Sequence, residues 1–499
     1  MSGLPSDKEK KGDVALPPSS GSVMSMGDTA SQLSDNPDAL HRRLKNRHIQ
    51  LIAIGGSIGT AICVLALVNN CITEMTTLMP VSGGFIRLAG LWVDDALGFM
   101  AGWNFFFYEA LLIPFEITAI NLVLSFWSDK VTDPGPTAGI CAACIIAYGL
   151  LNIVPVRGYG EAEFWLSGGK VILIFMLFAF TFVTMVGGNP QRDAYGFRYW
   201  KDPGAFAEFH STGAVGRWEG FLGALWTGCF AIVGPEYISM VAAEAKRPRV
   251  YIKQAFKTVY WRFGIFFILG ALGLPYVIAM KNMGITVLPD ITNFLMLTSI
   301  FSAGNTYTYC AIRTLYSLAL EGRAPRVLTK VNRWGVPIYC YAVVMLFPML
   351  SFLQVSNGSS TVLTWLVSLV TAGGLIDYIV MTVTYIFFYR ACQAQGVDRK
   401  TFPYCGWFQP YSAWIALVVE KFWQNYTMVV LAPILFIGWK VIKKTKVIKA
   451  HEADLVYQRP LIDAYEAAIK TPPVGFWTEI VQLVGFRRRK ASDRETAED

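Results

Sequence analysis

Residues 97–127, LGFMAGWNFFFYEALLIPFEITAINLVLSFW, form an apolar run that carries only two charged side chains, Glu109 and Glu116. A helix needs about 20 apolar residues to cross the hydrocarbon core of a bilayer. This run exceeds that length and is bounded by polar residues on both sides. The stretch therefore predicts a transmembrane helix, and it decides the class of fold.

Further apolar runs on both sides of this stretch have the same character. They lie near 49–72, 138–154, 167–186, 221–241, 263–280, 291–318, 338–352, 363–388 and 425–442. A stub at 413–419 is too short to span. Of the 499 residues, 54% are hydrophobic and 16% are charged, whereas soluble domains carry about 25% charged residues. The sequence predicts an all-α polytopic membrane protein with about 10 full spans.

The charge distribution points to a lipid bilayer and excludes nucleic acid as a partner. The net charge is +8, but the Lys and Arg residues fall in short clusters between apolar runs, as cytoplasmic loops do. No P-loop and no HExxH motif is present, which argues against an ATP-driven pump and a zinc hydrolase. The cysteines lie mostly in apolar runs, where they behave as small hydrophobes. We therefore predict neither an enzyme nor a metal site.

Three regions differ in composition. Residues 1–40 are rich in Ser, Gly, Pro and Asp and cannot bury enough apolar surface to fold. We predict a disordered N-terminal tail at 1–40, a transmembrane domain at 41–443 and a polar C-terminal tail at 444–499.

Two apolar runs contain helix-breaking residues at membrane depth. One holds GGSIGT at 55–60 and the other holds GPE at 234–236. Glycine and proline weaken a helix, and paired broken helices in different parts of a transporter point to a binding site at the bilayer midplane. For the glycine-rich segment, close helix packing through small residues is an equally good alternative.

Ionisable side chains at membrane depth are costly, so they usually pair or serve function. These residues are Glu109, Glu116, Lys170, Glu236, Arg313 and Asp377. Glu116 and Glu236 are the best candidates for proton sites, because one follows a proline within its run and the other lies in a broken helix. Lys170 and Arg313 are expected near helix ends, with their charges reaching the interface. Asp377 is expected to form a hydrogen bond between helices.

Several motifs in order along the chain resemble fungal amino-acid permeases of the amino acid–polyamine–organocation superfamily. They include LKNRHIQ at 44–50, IAIGGSIGT at 52–60, PVSGGF at 80–85, SAGN at 302–305, NRWGVP at 332–337 and GWFQP at 406–410. The resemblance extends from residue 44 to residue 463. It implies a five-plus-five inverted-repeat transporter fold with 12 spans.

The resemblance also implies a function, a location and partners. It implies proton-coupled uptake of amino acids across the plasma membrane, with no cofactor beyond the proton gradient. Both tails would be cytoplasmic, where a ubiquitin ligase or its adaptor would contact them.

Site residues follow from the same resemblance. Those expected to meet the substrate carboxylate are Ser57, Ile58, Gly59 and Thr60. Gly234 and its neighbours would meet the amino group, and Ser302 and Asn305 complete the predicted substrate site. Ile232 stands where many relatives carry an aromatic gate. Lys170 resembles the fifth-helix lysine that, in some relatives, stands where a sodium ion sits in others, which makes it a third candidate for proton coupling.

Within the family, residues 66–85 and 108–116 look most like dicarboxylic amino-acid permeases, so glutamate or aspartate is the first expected substrate. A general permease, a permease of other specificity and a sensor with a permease fold remain alternatives. Comparison with the family pattern indicates missing residues after Val64, Leu274 and Val419. An inactive, shortened product is therefore a further alternative.

Overall fold

The computed structural model describes residues 62–153, 156–198, 208–230, 234–262, 283–332, 335–422 and 428–469, with isolated residues elsewhere. Within these ranges the chain is helical and contains no β-strand. The helices are α1 (Ile62–Leu78), α2 (Gly84–Trp92), α3 (Asp95–Leu124), α4 (Pro134–Ile153), α5 (Val156–Met185), α6 (Gly213–Phe230), α7 (Pro235–Met240), α8 (Pro248–Arg262), α9 (Val287–Leu320), α10 (Ile338–Val344), α11 (Gln354–Asn357), α12 (Ser359–Ala394), α13 (Tyr411–Phe422), α14 (Met428–Lys443) and α15 (Arg459–Ala468).

Six helical segments in the described ranges are long and apolar enough to cross a membrane. They are Asp95–Leu124, Pro134–Ile153, Gly160–Met185, Val287–Leu320, Ile338–Asn357 and Ser359–Ala394. α5 displays large apolar side chains on the outside of the bundle, among them Trp165, Ile172 and Phe182. Such a belt of exposed apolar side chains is unfavourable in water, whereas in a bilayer the lipid acyl chains cover it. The chain is a polytopic helical membrane protein.

Most of the predicted runs coincide with helices. The run at 221–241 is divided between α6 and α7, and the run at 338–352 is divided between α10 and the 3₁₀ helix Phe347–Leu353. The stub at 413–419 lies in α13, which has 12 residues and is too short to span. The run at 263–280 and most of the run at 49–72 lie outside the described residues.

The centre of the bundle is formed by α3, which packs along both α9 and α12, while α5 packs along α9. α3 contributes buried residues over its whole length, including the fully buried Phe105 and Ile113. A helix that is apolar all round is suited to a position among other helices. Glu109 and Glu116 of α3 are therefore held inside the protein rather than against lipid.

Part of the C-terminal tail packs against the helices. The backbone N–H of Ile448 donates to the carbonyl of Val93 at 2.8 Å, and the indole N–H of Trp92 donates to the carbonyl of Asp454 at 2.8 Å. In α15, the hydroxyl of Tyr465 donates to a carbonyl just before α8, at 2.8 Å. The segment from 448 to 469 thus packs across one end of the bundle.

Replacing Gly304 by Ala is expected to destabilise the contact between α4 and α9. A Cβ built on Gly304 would lie 2.3 Å from Oη and 2.6 Å from Cζ of Tyr148. The Tyr148 ring is fully buried and lies 4.8 Å from the ring of Phe301, so it has little room to move. We expect a loss of about 1–3 kcal/mol, the usual cost of overpacking.

The measurement is the apparent melting temperature of the detergent-solubilised protein. Gly139→Ala is the matched control, because Gly139 lies in α4 and a Cβ there meets nothing within 4 Å. The control should not lower the melting temperature. Equal losses in both variants would contradict the assigned packing.

Candidate functional site

The helix break at 234–236 is present in the structure. α7 begins at Pro235, and the residue before it is not helical, so the apolar run does not form one continuous helix. Gly234 has φ 156° and ψ −60°, and its N–H donates to Glu236 Oε2 at 3.2 Å. Glu236 is 2% exposed. The break therefore places a backbone N–H and the buried carboxylate that accepts from it side by side.

The other half of the predicted substrate site cannot be placed. Ser57, Ile58, Gly59, Thr60 and Ile232 lie outside the described residues. Their predicted roles stay predictions.

Three buried carboxyl groups lie close enough to interact electrostatically beside this break. They are Glu109 on α3, Glu236 on α7 and Asp377 on α12, and we call them the acid cluster. All three side chains are at most 2% exposed. Carboxylates of like charge repel one another in a low-dielectric interior, so this cluster needs protons or a cation to balance its charge.

Neutral donors from three helices contact the acid cluster. The Tyr237 hydroxyl donates to Glu109 Oε1 at 2.8 Å, and the Tyr378 hydroxyl donates to Glu236 Oε1 at 3.2 Å. Asn104 Nδ2 donates to Asp377 Oδ1 at 3.0 Å. This last bond joins α3 to α12, as expected for Asp377. The donors fix the orientations of the carboxyl groups without neutralising them.

A second buried group surrounds Lys170. Its ammonium interacts electrostatically with Glu163 and Glu116, and we call these three residues the lysine cluster. Lys170 is 3% exposed, Glu163 is fully buried and Glu116 is 7% exposed. The structure thus brings together two of the three residues predicted for proton coupling, Lys170 and Glu116. The third, Glu236, belongs to the acid cluster instead.

Glu163 connects the lysine cluster to α9. Its Oε1 accepts hydrogen bonds from the hydroxyls of Ser302 and, at 2.8 Å, Ser167. Its Oε2 accepts from Asn305 Nδ2 at 3.3 Å. The predicted substrate residues Ser302 and Asn305 therefore both contact a carboxylate of α5. A change in the charge of Glu163 would directly alter the contact between α5 and α9.

Sequence reasoning missed Glu163, although a signal was available. Glu163, Ser167 and Lys170 stand at positions i, i+4 and i+7 of one helix, so they share a face. Two polar groups on the same face as Lys170 indicate a polar interior contact rather than a residue reaching for the interface.

The expectation that Lys170 and Arg313 reach the interface is wrong. Lys170 lies in the middle of α5, and Arg313 is 7% exposed and pairs with Glu244 at 3.2 Å. Both side chains are buried where α9 packs against its neighbours. Each charge is compensated by a carboxylate from another part of the structure.

Tyr307 lies between the two clusters. Its side chain is 7% exposed, and it interacts with Glu116 of the lysine cluster and with Glu109 and Glu236 of the acid cluster. Its ring centroid is 6.0 Å from that of Tyr237. The two charged groups are therefore neighbouring parts of one polar interior.

Sequence comparison identifies the family of the chain. Residues 60–420 match the family model described as "Amino acid permease", which is well over half of the chain. The chain belongs to the amino acid permease family.

Several proteins related to this permease are named as amino-acid permeases. The "General amino acid permease AGP2" of Saccharomyces cerevisiae is 40% identical over 479 residues, covering 81% of this chain and 79% of that protein. The "Dicarboxylic amino acid permease" of the same organism is 34% identical over 504 residues, covering 87% of this chain and 82% of that protein. The match therefore does not select an acidic specificity over a general one.

Among solved structures, a manganese transporter of Eremococcus coleocola aligns with 84% of the permease and 94% of its own chain. The TM-score is 0.45 and the identity is 12%.

Nothing in the described part of the permease resembles a metal centre. No group of three or more His, Cys, Asp or Glu side chains in those ranges is arranged to hold a metal ion.

Proposed function

We propose that the permease takes up amino acids across the plasma membrane with protons, with both tails in the cytoplasm. The observation that carries this proposal is the burial of Lys170 between Glu163 and Glu116. Isolated charges at this depth are expensive, so a lysine held between two carboxyl groups is a natural place for a proton to bind and leave.

The coupling runs through Glu163. A proton gained or lost in the lysine cluster changes the charge that faces Ser302 and Asn305 on α9. Hydrogen bonds to an ionised carboxylate are stronger than those to a neutral group. The strength of the contact between α5 and α9 therefore depends on the protonation of the lysine cluster, and a proton-coupled transport cycle needs such a dependence.

For specificity, we propose a general amino-acid permease ahead of the dicarboxylic permease predicted from the sequence. The reason is electrostatic: the acid cluster would repel the side-chain carboxylate of glutamate or aspartate. A donor-rich or cationic pocket is what an acidic side chain requires, and the acid cluster offers the opposite charge. The relatives include permeases of both kinds, which is consistent with this choice.

Uptake of radiolabelled norleucine and glutamate, in cells that lack their own permeases, tests the function. We expect norleucine uptake that rises at acidic external pH and stops when a protonophore is added. Glutamate should be taken up less well. Uptake that ignores the protonophore would refute proton coupling.

The remaining alternatives give different results in the same assay. A sensor would bind norleucine without accumulating it. An inactive, shortened product would neither accumulate nor bind it, provided that the protein reaches the membrane.

A further inference from the structure

We propose that the acid cluster binds a positively charged nitrogen on the substrate side chain, so that the permease prefers cationic amino acids to uncharged ones of the same shape. This inference rests on the proposed function, because it assigns a specificity to the same site. Glu109 and Asp377 supply the binding oxygens, and Glu236 adds charge beside the helix break.

The first argument is the unused capacity of two carboxyl groups. Glu109 Oε1 and Asp377 Oδ1 accept the hydrogen bonds described above. Glu109 Oε2 and Asp377 Oδ2 are also buried, and neither has a hydrogen-bond partner among the residues that the structure describes. A buried carboxylate oxygen without a partner is costly. Each of these atoms can accept a hydrogen bond from a bound ammonium group.

The second argument is the charge of the surroundings. The described side chains that interact with Glu109 and Asp377 are carboxyl groups, tyrosines and an asparagine, and none of these carries a positive charge. Lys170, in contrast, interacts with Glu163 and Glu116. When its carboxyl groups are ionised, the acid cluster therefore carries negative charge that a substrate cation would balance.

The third argument is the aromatic lining around the three carboxyl groups. Aromatic rings lie among them: Tyr237 contacts Glu109, Tyr378 contacts Glu236, and the Tyr108 side chain faces the α12 glycines beside Asp377. Aromatic faces together with carboxylates form a favourable environment for an organic ammonium group.

The position of the cluster connects it to the substrate. Glu236 accepts a hydrogen bond from the N–H of Gly234, which is a residue predicted to meet the substrate amino group. A substrate bound at the break would direct its side chain toward neighbouring residues of α3 and α12. A primary ammonium and a quaternary ammonium share the chemistry required here.

The test compares uptake of lysine, N-ε-trimethyl-lysine and norleucine by the full-length permease. Norleucine has the lysine chain without its amine, so the uptake ratio of lysine to norleucine isolates the charged group. We expect lysine to be preferred. Glu109→Gln and Asp377→Asn keep the shape of each side chain, and each should lower the ratio about tenfold or more.

Asp129→Asn is the control, because Asp129 is exposed in the 3₁₀ helix between α3 and α4; its ratio should match that of the unmodified chain. A preference for lysine over trimethyl-lysine indicates direct hydrogen bonds to the amine. Equal uptake of lysine and trimethyl-lysine indicates that charge and aromatic contact are sufficient. Both outcomes support the cation site. Equal uptake of lysine and norleucine, or equal losses of both in the two variants, overturns it.

Failure of the proposed function is distinguishable from failure of this inference. Norleucine uptake without a preference for lysine refutes only the cation site. If no amino acid is taken up, thermal stabilisation of the purified full-length protein by lysine, compared with norleucine, decides the inference. Stabilisation by lysine that Asp377→Asn removes would support it, and equal stabilisation by both would refute it.

Discussion

Uptake by the Lys170→Ala variant is expected to fall about a hundredfold at acidic external pH. Removal of Lys170 leaves Glu163 and Glu116 in the interior without the cation that they share. Loss of a group that transfers a proton typically costs about a hundredfold or more in rate, and Lys170 is the group proposed to exchange the coupled proton. The measurement is the initial rate of norleucine uptake, normalised to the amount of permease at the cell surface.

A second substitution separates the charge of the lysine cluster from its shape. Glu163→Gln keeps acceptor and donor atoms near Ser302 and Asn305 but removes the negative charge. We expect this variant to reach the cell surface and to lose the acceleration of uptake by external acid. Lys130→Ala is the matched control for Lys170→Ala, because Lys130 lies exposed between α3 and α4. Proton-driven uptake by Lys170→Ala at the rate of the control would exclude the lysine cluster from coupling.

Arg399→Ala is expected to destabilise the permease more than any substitution of an exposed charge. Arg399 donates to both oxygens of Glu74, from Nε and from one terminal nitrogen, each at 2.7 Å. Glu74 on α1 is fully buried and also accepts from Tyr385 Oη and from the N–H of Gly406, each at 2.7 Å. Loss of the guanidinium would leave a buried carboxylate without a cation, at a cost of about 3–5 kcal/mol.

The expected result is a large fall in the apparent melting temperature of the solubilised Arg399→Ala protein. Arg198→Ala is the matched control, because Arg198 pairs with Asp193 at 2.6 Å and both side chains are exposed. Exposed ion pairs contribute little to stability, so this variant should have the same apparent melting temperature as the unmodified protein. Arg399→Lys should recover only part of the loss, since lysine cannot reproduce the two-point contact. Equal apparent melting temperatures of Arg399→Ala and Arg198→Ala would show that the buried pair does not stabilise the bundle.

Local sequence determines which segments cross the membrane and where one of them breaks. The run at 97–127 predicts a spanning helix from its length and composition alone, because backbone groups in lipid must be bonded within the segment. The break at 234–236 follows from a glycine and a proline in succession, which remove helix stability at that point regardless of the surroundings. These are properties of short stretches, and the structure confirms both.

Tertiary structure alone decides which of the buried charges meet. Nothing in the sequence around Glu109 indicates that it lies near Asp377, or that Glu74 pairs with Arg399. Its place in the sequence suggests the interface for Lys170 and the resemblance suggests a role in proton coupling, whereas the structure buries it in α5, where it interacts with Glu163 and Glu116. The physical reason is that helix contacts arise from side-chain packing between segments far apart in the chain. The sequence by itself determined a polytopic permease with charges at membrane depth, and the packing of α3, α5, α9 and α12 decided how those charges are divided between two clusters.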